Sequence, residues 1–380
     1  MSVRVPAEAF HAGEFIREEL EARNWTQTDL SEILGLSFRL VNELINAKRS
    51  VTPETAKALA EAFDTDPQYW MNLESAYQLW RVHEGSEGSQ VARRASLFVK
   101  APVGEMIRRR WIEPSNDVTV LEGRILSFLG IKTLDEAPKI WHAAKKSTSY
   151  QEVTPAQSAW LMRARQIARP LQVGSFTEVS FEQALGQLKE LLPQPKEIRH
   201  VPRILAEAGI RFVVLQHLEH TKIDGACLWL DRAPVVALSI RYDRVDTFWF
   251  ALLHELGHVK RRDGLDQYEP LDVRLFEGGI LTDADRPPEE TEANRFATEF
   301  LIPQKELEDF INRNRPLYWT RQIQGFAALR KIHPGIVIGQ LQYRKEISYA
   351  HGRQLQVKVR DIIAQTALTD GWGHTVPAGL

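Results

Sequence analysis

The sequence predicts a multi-domain protein in which an all-α N-terminal domain and a helical middle region precede an α+β domain. Three observations support this prediction. The chain has 380 residues, more than one small domain needs. Residues 15–63 carry helix-start and helix-end signals throughout. Short runs rich in Val, Ile, Leu and aromatic residues begin only after residue 209, and such runs are typical of strands.

Composition narrows the class of protein. The formal net charge is −2, which excludes a chain that binds polyanions along its whole length. The only cysteine is Cys227, so no disulfide can form within the chain, which fits a reducing compartment. We see no signal peptide at the N-terminus, and no apolar run approaches the length of about 18 residues that a membrane span needs. We therefore expect a cytoplasmic protein that does not bind membranes.

The N-terminal helices have the punctuation of a helix-turn-helix. Thr26 precedes "QTDLSEIL" as an N-cap, with Asp29 at the third helical position. Gly35 lies at the turn, and Ser37 is the N-cap of "FRLVNELIN". In this motif the second helix lies in the major groove and its N-terminal residues contact base edges. We predict a helix-turn-helix domain over residues 10–80 that binds double-stranded DNA.

The residue types on this second helix suit DNA. Arg and Asn side chains match guanine and adenine edges, and a Phe ring can touch a thymine methyl group. Basic residues just beyond the helix can meet phosphates. The predicted DNA-binding residues are Ser37, Phe38, Arg39, Asn42, Lys48 and Arg49.

The charge of this domain opposes easy binding to DNA. Residues 1–80 contain seven Lys or Arg against thirteen Asp or Glu, whereas non-specific affinity comes mainly from neutralised phosphates. A homodimer would bring two reading helices together on an operator. The alternative is a small helical domain that docks proteins.

The middle of the chain has helical periodicity. "VLEGRILSFLGI" (120–131) and "TPAQSAWLMRARQIAR" (154–169) both place apolar residues at helical spacing. The two prolines of "LLPQPKEI" (191–198) mark a break. We predict a helical linker region over residues 97–192 that packs between the modules and couples them.

The pattern then changes to strands and returns to helices. We predict strands at 210–218, 226–230 and 234–240, a helix from Val245 to Arg262, and a second helix that starts near Pro288 and ends before Pro303. The predicted segments are an α+β domain over 200–312, a helical closing element over 313–365 and a flexible tail over 366–380.

The helix after the strands contains "HELGH". His254 and His258 are four residues apart, so their imidazoles share one helix face and can hold one metal ion. Glu255 can act as a general base towards water that attacks a carbonyl group. The alternative is a surface helix with two solvated histidines. The apolar "FWFALL" before the motif disfavours it, because two buried histidines on one face need a partner.

A catalytic zinc site needs a third protein ligand. Glu289, Glu290 and Glu292 in "EETEANRFATEFLIP" all compete for this position. A donor for the transition state is not evident either. Tyr242, Tyr268 and His217 are candidates, each more often structural than catalytic in such positions.

Here the sequence resembles a known family. "HELGH" followed by "ETEANRFATEFLIP" is similar to the ImmA/IrrE metallo-endopeptidases, with their E-x-x-A-N segment. The resemblance implies a gluzincin-like metallopeptidase fold with a small sheet and an active-site helix. It implies Glu290 as the third ligand, with Glu292 as the fallback, and Asn294 as a residue that orients a ligand. It implies Zn²⁺, although Mn²⁺ and Fe²⁺ accept the same ligands. In such peptidases "ACLWLDR" or "PVVALSI" would hold an extended substrate.

The N-terminal region has a resemblance of its own. Most of residues 10–80 resembles the Cro/repressor type of helix-turn-helix and, more closely, the HigA group of antitoxins. The HigA pattern often has Arg-Gln after the serine, where this chain has Phe38 and Arg39, so the preferred DNA sequence does not carry over.

Together the two resemblances imply a DNA-binding regulator of a stress or mobile-element response that cleaves a repressor or an antitoxin. The alternative is a HigA-like antitoxin and transcriptional repressor that binds a toxin, cuts nothing and uses its metal site for structure or sensing.

Overall fold

The chain forms two compact units, Met1–Arg94 and Ala95–Leu380, with separate hydrophobic cores. The structure is a computed structural model, and none of the helices in the part it describes is long and apolar enough to cross a bilayer. The described residues are 9–83, 87–136, 154–219, 221–263, 265, 271–272 and 287–376.

Five helices lie within the described residues 9–83 of the first unit. Its helix-turn-helix has the predicted punctuation: the Thr26 side chain accepts from Asp29 N–H and the Asp29 carboxylate accepts from Thr26 N–H. Gly35 ends that helix at φ 64°, a left-handed conformation that costs glycine little. The Ser37 side chain caps the next helix by accepting from Leu40 N–H. The helices are α1 (Ala12–Arg23), α2 (Gln27–Leu34), α3 (Phe38–Ile45), α4 (Pro53–Phe63) and α5 (Pro67–His83).

The described parts of the predicted linker region, residues 97–136 and 154–192, are largely helical. Their helices lie in the second unit, except that the first of them begins before Ala95, where that unit starts. Leu97, Leu121 and Trp160 are buried in one hydrophobic cluster, whereas Phe181 and Leu188 belong to another. The described helices of this region therefore contribute side chains to both of these clusters. Its helices are α6 (Glu87–Lys100), α7 (Val103–Arg108), α8 (Val118–Leu129), α9 (Pro155–Ala168) and α10 (Glu178–Leu191). A 3-10 segment (Pro195–His200) and α11 (Val201–Glu207) follow.

A mixed five-stranded sheet lies at the centre of the second unit. The strands are β1 (Arg211–Leu215), β2 (Gly225–Leu230), β3 (Ala233–Leu238), β4 (Leu271–Asp272) and β5 (Leu368–Asp370). Their order is β4-β2-β3-β1-β5, and β1 is parallel to β3 and β5, whereas β2 is antiparallel to β3 and β4. The three predicted strands are confirmed as β1 to β3.

Both faces of β1 to β3 are buried, which explains why these three strands read as continuous apolar runs. In β1, Val214 packs into the cluster that contains α12 (Val245–Arg261), and Val213 packs into the cluster of α8 and α9. The side chains alternate in this way because successive residues of a strand point to opposite faces. On the α12 side lie also α13 (Pro288–Leu301), α14 (Gln304–Asn314), α15 (Thr320–Arg330), α16 (Pro334–Tyr343) and α17 (Arg360–Ala364).

The end of the chain differs from the prediction. Residues 366–380 were predicted to be a flexible tail, but Leu368–Asp370 forms β5 beside β1. The Asp370 carboxylate accepts a hydrogen bond of 2.6 Å from Arg163 Nε, and both side chains are buried. A short polar segment with glycines gives no strand signal, and only the partner strand and the buried arginine make it regular.

Of the two strands predicted to hold a substrate, β3 lies between β2 and β1 and is excluded from the edge. β4 pairs with β2 only at Gly225 and Ala226. The rest of β2 has no partner on that side among the described residues.

Candidate metal centre and candidate nucleic-acid interface

Helix α12 carries the two histidines of the predicted metal site on one face. His254, Glu255 and His258 are all 0% exposed. The two Nε2 atoms lie 3.0 Å apart, as expected for residues separated by one helical turn. The interpretation of "HELGH" as a solvated surface helix is therefore wrong, because the apolar residues before the motif bury it.

Helix α13 brings Glu290 to the two imidazoles. Glu290 Oε2 lies 3.2 Å from His254 Nε2, and Glu290 Oε1 lies 3.5 Å from His258 Nε2. Glu292 lies near the surface instead, where it pairs with Arg295 at 2.7 Å. The helices approach closely, since a Cβ added at Gly257 would lie 3.0 Å from Ala293 Cα. Of Glu290 and the fallback Glu292, Glu290 is the one that lies beside both imidazoles.

These side chains fit a divalent cation. One donor atom from each of His254, His258 and Glu290 lies within 4.8 Å of the others. Two imidazole nitrogens and one carboxylate form a ligand set that zinc accepts in catalytic sites, and Mn²⁺ and Fe²⁺ accept it too.

Hydrogen bonds hold both imidazoles from behind. Asn294 Oδ1 lies 3.0 Å from His254 Nδ1, in the position that the family resemblance implies. Asp263 Oδ2 lies 2.9 Å from His258 Nδ1. Asp263 is not among the residues that the sequence predicts for this site. Its only signal is its place just beyond the last turn of α12, five residues after His258.

Glu255 lies beside the histidines without a hydrogen-bond partner. Both of its carboxylate oxygens are buried, and neither finds a donor among the described residues. A Cβ added at Gly225, the first residue of β2, would lie 2.5 Å from Glu255 Oε1, so only glycine leaves room for this carboxylate. Burial raises the pKa of Glu255 to about 8. A carboxyl group with such a pKa is suited to accept and return a proton near neutral pH.

The pKa values of His254 and Glu290 shift in the direction that suits metal ligands, whereas the pKa of His258 shifts the other way. Burial lowers the pKa of His254, which favours the neutral imidazole. Burial also acts to lower the pKa of His258, but hydrogen bonds to Asp263 and Glu290 outweigh it and raise that pKa to about 10. Burial opposes ionisation of Glu290, yet its hydrogen bonds to both histidines hold the pKa of the carboxyl well below its usual range. A cation at this point would therefore displace a proton from His258.

The three candidate donors for a transition state remain predictions. Tyr242 lines a small cleft with Thr247 and Ala251. His217 follows β1, and its carbonyl accepts from Arg109 at 2.7 Å. Tyr268 lies outside the described residues.

In the first unit, α3 presents the predicted DNA-binding surface. Ser37, Phe38 and Arg39 are exposed, and Phe38 is 52% exposed although it is apolar. Lys48 and Arg49 are exposed beyond the helix end. An exposed aromatic ring at the start of a helix is available for contact with a partner.

Asn42 differs from the prediction. It was expected to be exposed, but it is half-buried and its Nδ2 donates to Gln27 Oε1 at 3.0 Å. The first residue of α2 therefore fixes the orientation of this amide on α3. Arg39 and Glu43 lie one turn apart on α3, and Arg39 Nε donates to Glu43 Oε1 at 2.8 Å. Arg49 Nη1 lies 3.7 Å from Glu43 Oε2, so one carboxylate partly neutralises two predicted DNA contacts.

Comparison with known families gives two matches. A helix-turn-helix family model matches residues 16–70, which contain α2 and α3. A model of the IrrE N-terminal-like domain matches residues 206–320, which contain His254, Glu255, His258 and Glu290.

Similar proteins match the N-terminal part of the chain. An HTH-type transcriptional regulator of Escherichia coli K12, YbaQ, is 40% identical over 93 residues, which are 24% of this chain and 78% of the relative. A Haemophilus influenzae HTH-type regulator is 33% identical over 79 residues, 20% of this chain and 74% of that protein. The solved Pseudomonas aeruginosa antitoxin HigA with its higBA promoter is 32% identical, covers 22% of this chain and 91% of its own, and has a TM-score of 0.21.

Proposed function

We propose, from the premise that the chain belongs to the helix-turn-helix family of transcriptional regulators and also carries an IrrE N-terminal-like domain, that it is a DNA-binding regulator and a zinc-dependent endopeptidase. One observation carries the peptidase half of the proposal. Two buried imidazoles and one buried carboxylate converge around one point, and beside them lies a second carboxylate without a partner among the described residues.

The side chains have distinct roles in this proposal. His254, His258 and Glu290 hold the cation, and Asn294 orients His254 through its hydrogen bond. The cation, when bound, acts as a Lewis acid towards a substrate carbonyl and lowers the pKa of water. Glu255 takes a proton from the attacking water and passes it to the leaving amine. β2 lies beside α12 and offers main-chain groups to an extended peptide.

The DNA-binding half of the proposal rests on the family and on the surface of α3. The exposed Phe38 and Arg39 would contact bases. Asn42 would do so too, with its amide oriented by the hydrogen bond to Gln27. Ser37, Lys48 and Arg49 would contact phosphates. Because residues 1–80 carry more acidic than basic side chains, we expect weak binding by one copy and operator binding by a homodimer.

The protein substrate is, in this proposal, a repressor or an antitoxin that binds near the same operator. The DNA-binding domain would then raise the local concentration of the peptidase at its substrate. Cleavage of such a partner would release transcription in a stress or mobile-element response.

A second candidate function has an observation in its favour. His254, Glu255 and His258 are 0% exposed, whereas a catalytic group must reach its substrate. A site buried in this way suits a structural or sensory metal. The protein would then be a HigA-like antitoxin and repressor that binds a toxin and cuts nothing.

The test compares wild-type protein with Glu255→Gln. Glutamine keeps the shape of the side chain but cannot take a proton. We expect both proteins to contain about one zinc per chain by elemental analysis. We also expect new protein N-termini, detected by mass spectrometry in cells that express wild type, to be absent with Glu255→Gln.

Two further variants control for the metal. Glu290→Gln should lose zinc and cleavage together, whereas Glu292→Gln, on the same helix but paired with Arg295 near the surface, should keep both. Identical N-termini for wild type and Glu255→Gln, with zinc present in both, would favour the antitoxin function instead.

A further inference from the structure

We propose that Asp263 is a positioning residue for the metal ligand His258, and that Trp229 on β2 holds Asp263 in place. This inference rests on the proposed metal centre but not on peptide cleavage. It assigns to the end of α12 a role that the "HELGH" motif does not contain.

The end of α12 folds back on the ligand that it carries. Arg262 adopts the left-handed conformation with φ 59°. Its N–H donates to Val259 O, and Asp263 N–H donates to His258 O, each at 3.0 Å. These two bonds form the Schellman motif that commonly ends helices. The backbone therefore places residue 263 beside His258, and the side chain at 263 determines what His258 meets there.

The aspartate side chain selects one form of His258. Asp263 Oδ2 lies 2.9 Å from His258 Nδ1, and a carboxylate only accepts hydrogen bonds. The proton of the neutral imidazole is therefore held on Nδ1. The lone pair is then on Nε2, which faces His254 and Glu290. A hydrogen bond of this kind also fixes the ring orientation and makes the ligand nitrogen more basic.

Trp229 anchors the aspartate from the sheet. Its indole Nε1 donates to Asp263 O at 2.7 Å. The ring is 8% exposed and packs edge-to-face on Phe176, with centroids 5.9 Å apart. Trp229 lies on β2, the strand whose Gly225 contacts Glu255. One strand thus bounds the proposed general base at one end and supports a metal ligand at the other.

The test measures Co²⁺ affinity of the full-length protein by competition with a chelator, together with the visible spectrum of the bound Co²⁺. We expect Asp263→Ala to bind Co²⁺ about 10- to 100-fold more weakly than wild type. Asp263→Asn keeps an oxygen that accepts from Nδ1, so its loss should be smaller. Glu292→Ala, which removes a carboxylate near the surface of α13, should bind as wild type does.

Trp229 is tested through its dependence on Asp263. Trp229→Phe keeps the aromatic contact with Phe176 but removes the donor, and we expect a loss of about fivefold. The double variant Trp229→Phe/Asp263→Ala should bind no more weakly than Asp263→Ala alone, because the indole acts through the aspartate.

The outcomes separate this inference from the proposed function. If Asp263→Ala lowers thermal stability but leaves the Co²⁺ affinity and spectrum unchanged, Asp263 only ends the helix and the inference is wrong. If wild type binds no Co²⁺, the metal centre and the inference fail together. If Asp263→Ala weakens Co²⁺ binding as expected but wild type cleaves nothing, the inference stands and the peptidase function fails.

Discussion

The buried carboxyl group of Glu255 makes the stability of the metal-free protein depend on pH. Burial raises its pKa from 4.5 to about 8, so the folded protein keeps a proton there after the unfolded chain has lost it. Its contribution to stability is therefore fully present below pH 4.5 and is lost as the pH rises to about 8. Glu255→Gln removes this titration.

We expect the free energy of unfolding of metal-free wild type to fall relative to Glu255→Gln between pH 4.5 and about 8. Denaturant unfolding in the presence of a chelator measures the difference. Parallel pH profiles for the two proteins would show that the Glu255 carboxyl is not held protonated in the folded protein.

Glu43 controls the charge of the predicted DNA-binding surface. Because it pairs with Arg39 and Arg49, Glu43→Gln should free Arg49 for a phosphate and Arg39 for a base edge. The slope of log affinity against log salt concentration should then become steeper by about 1. Fluorescence anisotropy with a random-sequence duplex measures this slope.

The matched control for this prediction is Glu61→Gln. It removes the same charge from α4, where Glu61 faces Lys57. An equal change in both variants would mean that only the net charge of the domain matters, and that α3 has no special place on DNA.

At the scale of elements, β5 depends on a buried ion pair. Arg163 of α9 and Asp370 of β5 are both nearly fully buried. Asp370→Ala leaves the guanidinium without its carboxylate, and breaking a buried pair in this way costs about 3–5 kcal/mol. We expect that loss in the denaturant unfolding of the second unit.

The exposed pair of Arg295 and Glu292 is the control for β5. Glu292→Ala should change the free energy of unfolding by less than about 1 kcal/mol. If Asp370→Ala cost no more than Glu292→Ala, the segment after α17 would contribute little to the sheet.

The two histidines of the metal centre could be predicted from the sequence, whereas the choice of Glu290 could not be made from spacing alone. "HELGH" lies within one helix, so the spacing of its histidines alone fixes their common face. Glu290 arrives from another helix, and which glutamate of "PEETE" faces the histidines depends on the rotation of α13 against α12. The close packing of Gly257 on Ala293 sets that rotation.

At the scale of the whole molecule, two units with separate cores should unfold in two transitions. A ligand that binds only the folded state of one unit stabilises that unit alone. We expect zinc to raise the unfolding temperature of the second unit only. Its free energy of unfolding should rise by about 2.7 kcal/mol when free zinc is about 100 times its Kd. Scanning calorimetry with and without zinc measures both transitions.

His258→Ala should remove the effect of zinc because it lacks one of the three ligands. A zinc-dependent shift of the first transition would instead mean that the two units are coupled or that the metal binds elsewhere.

The sequence by itself determined the parts that are written in local patterns. The capping residues Thr26 and Ser37, strands β1 to β3 and the "HELGH" helix follow from turn chemistry and apolar periodicity, and the structure confirms them. Both family resemblances are also confirmed by the matching family models. They could be recognised because each rests on short sequence motifs.

Tertiary structure alone decided the contacts between distant segments. It packed the described helices of residues 97–192 into hydrophobic clusters, added β5, turned Asn42 towards Gln27 and brought Asp263 under His258. None of these contacts has a periodic signature, because each depends on the angle at which separate elements pack. The physical reason is that burial, which sets the partners of a polar side chain and its pKa, is a property of the assembled fold.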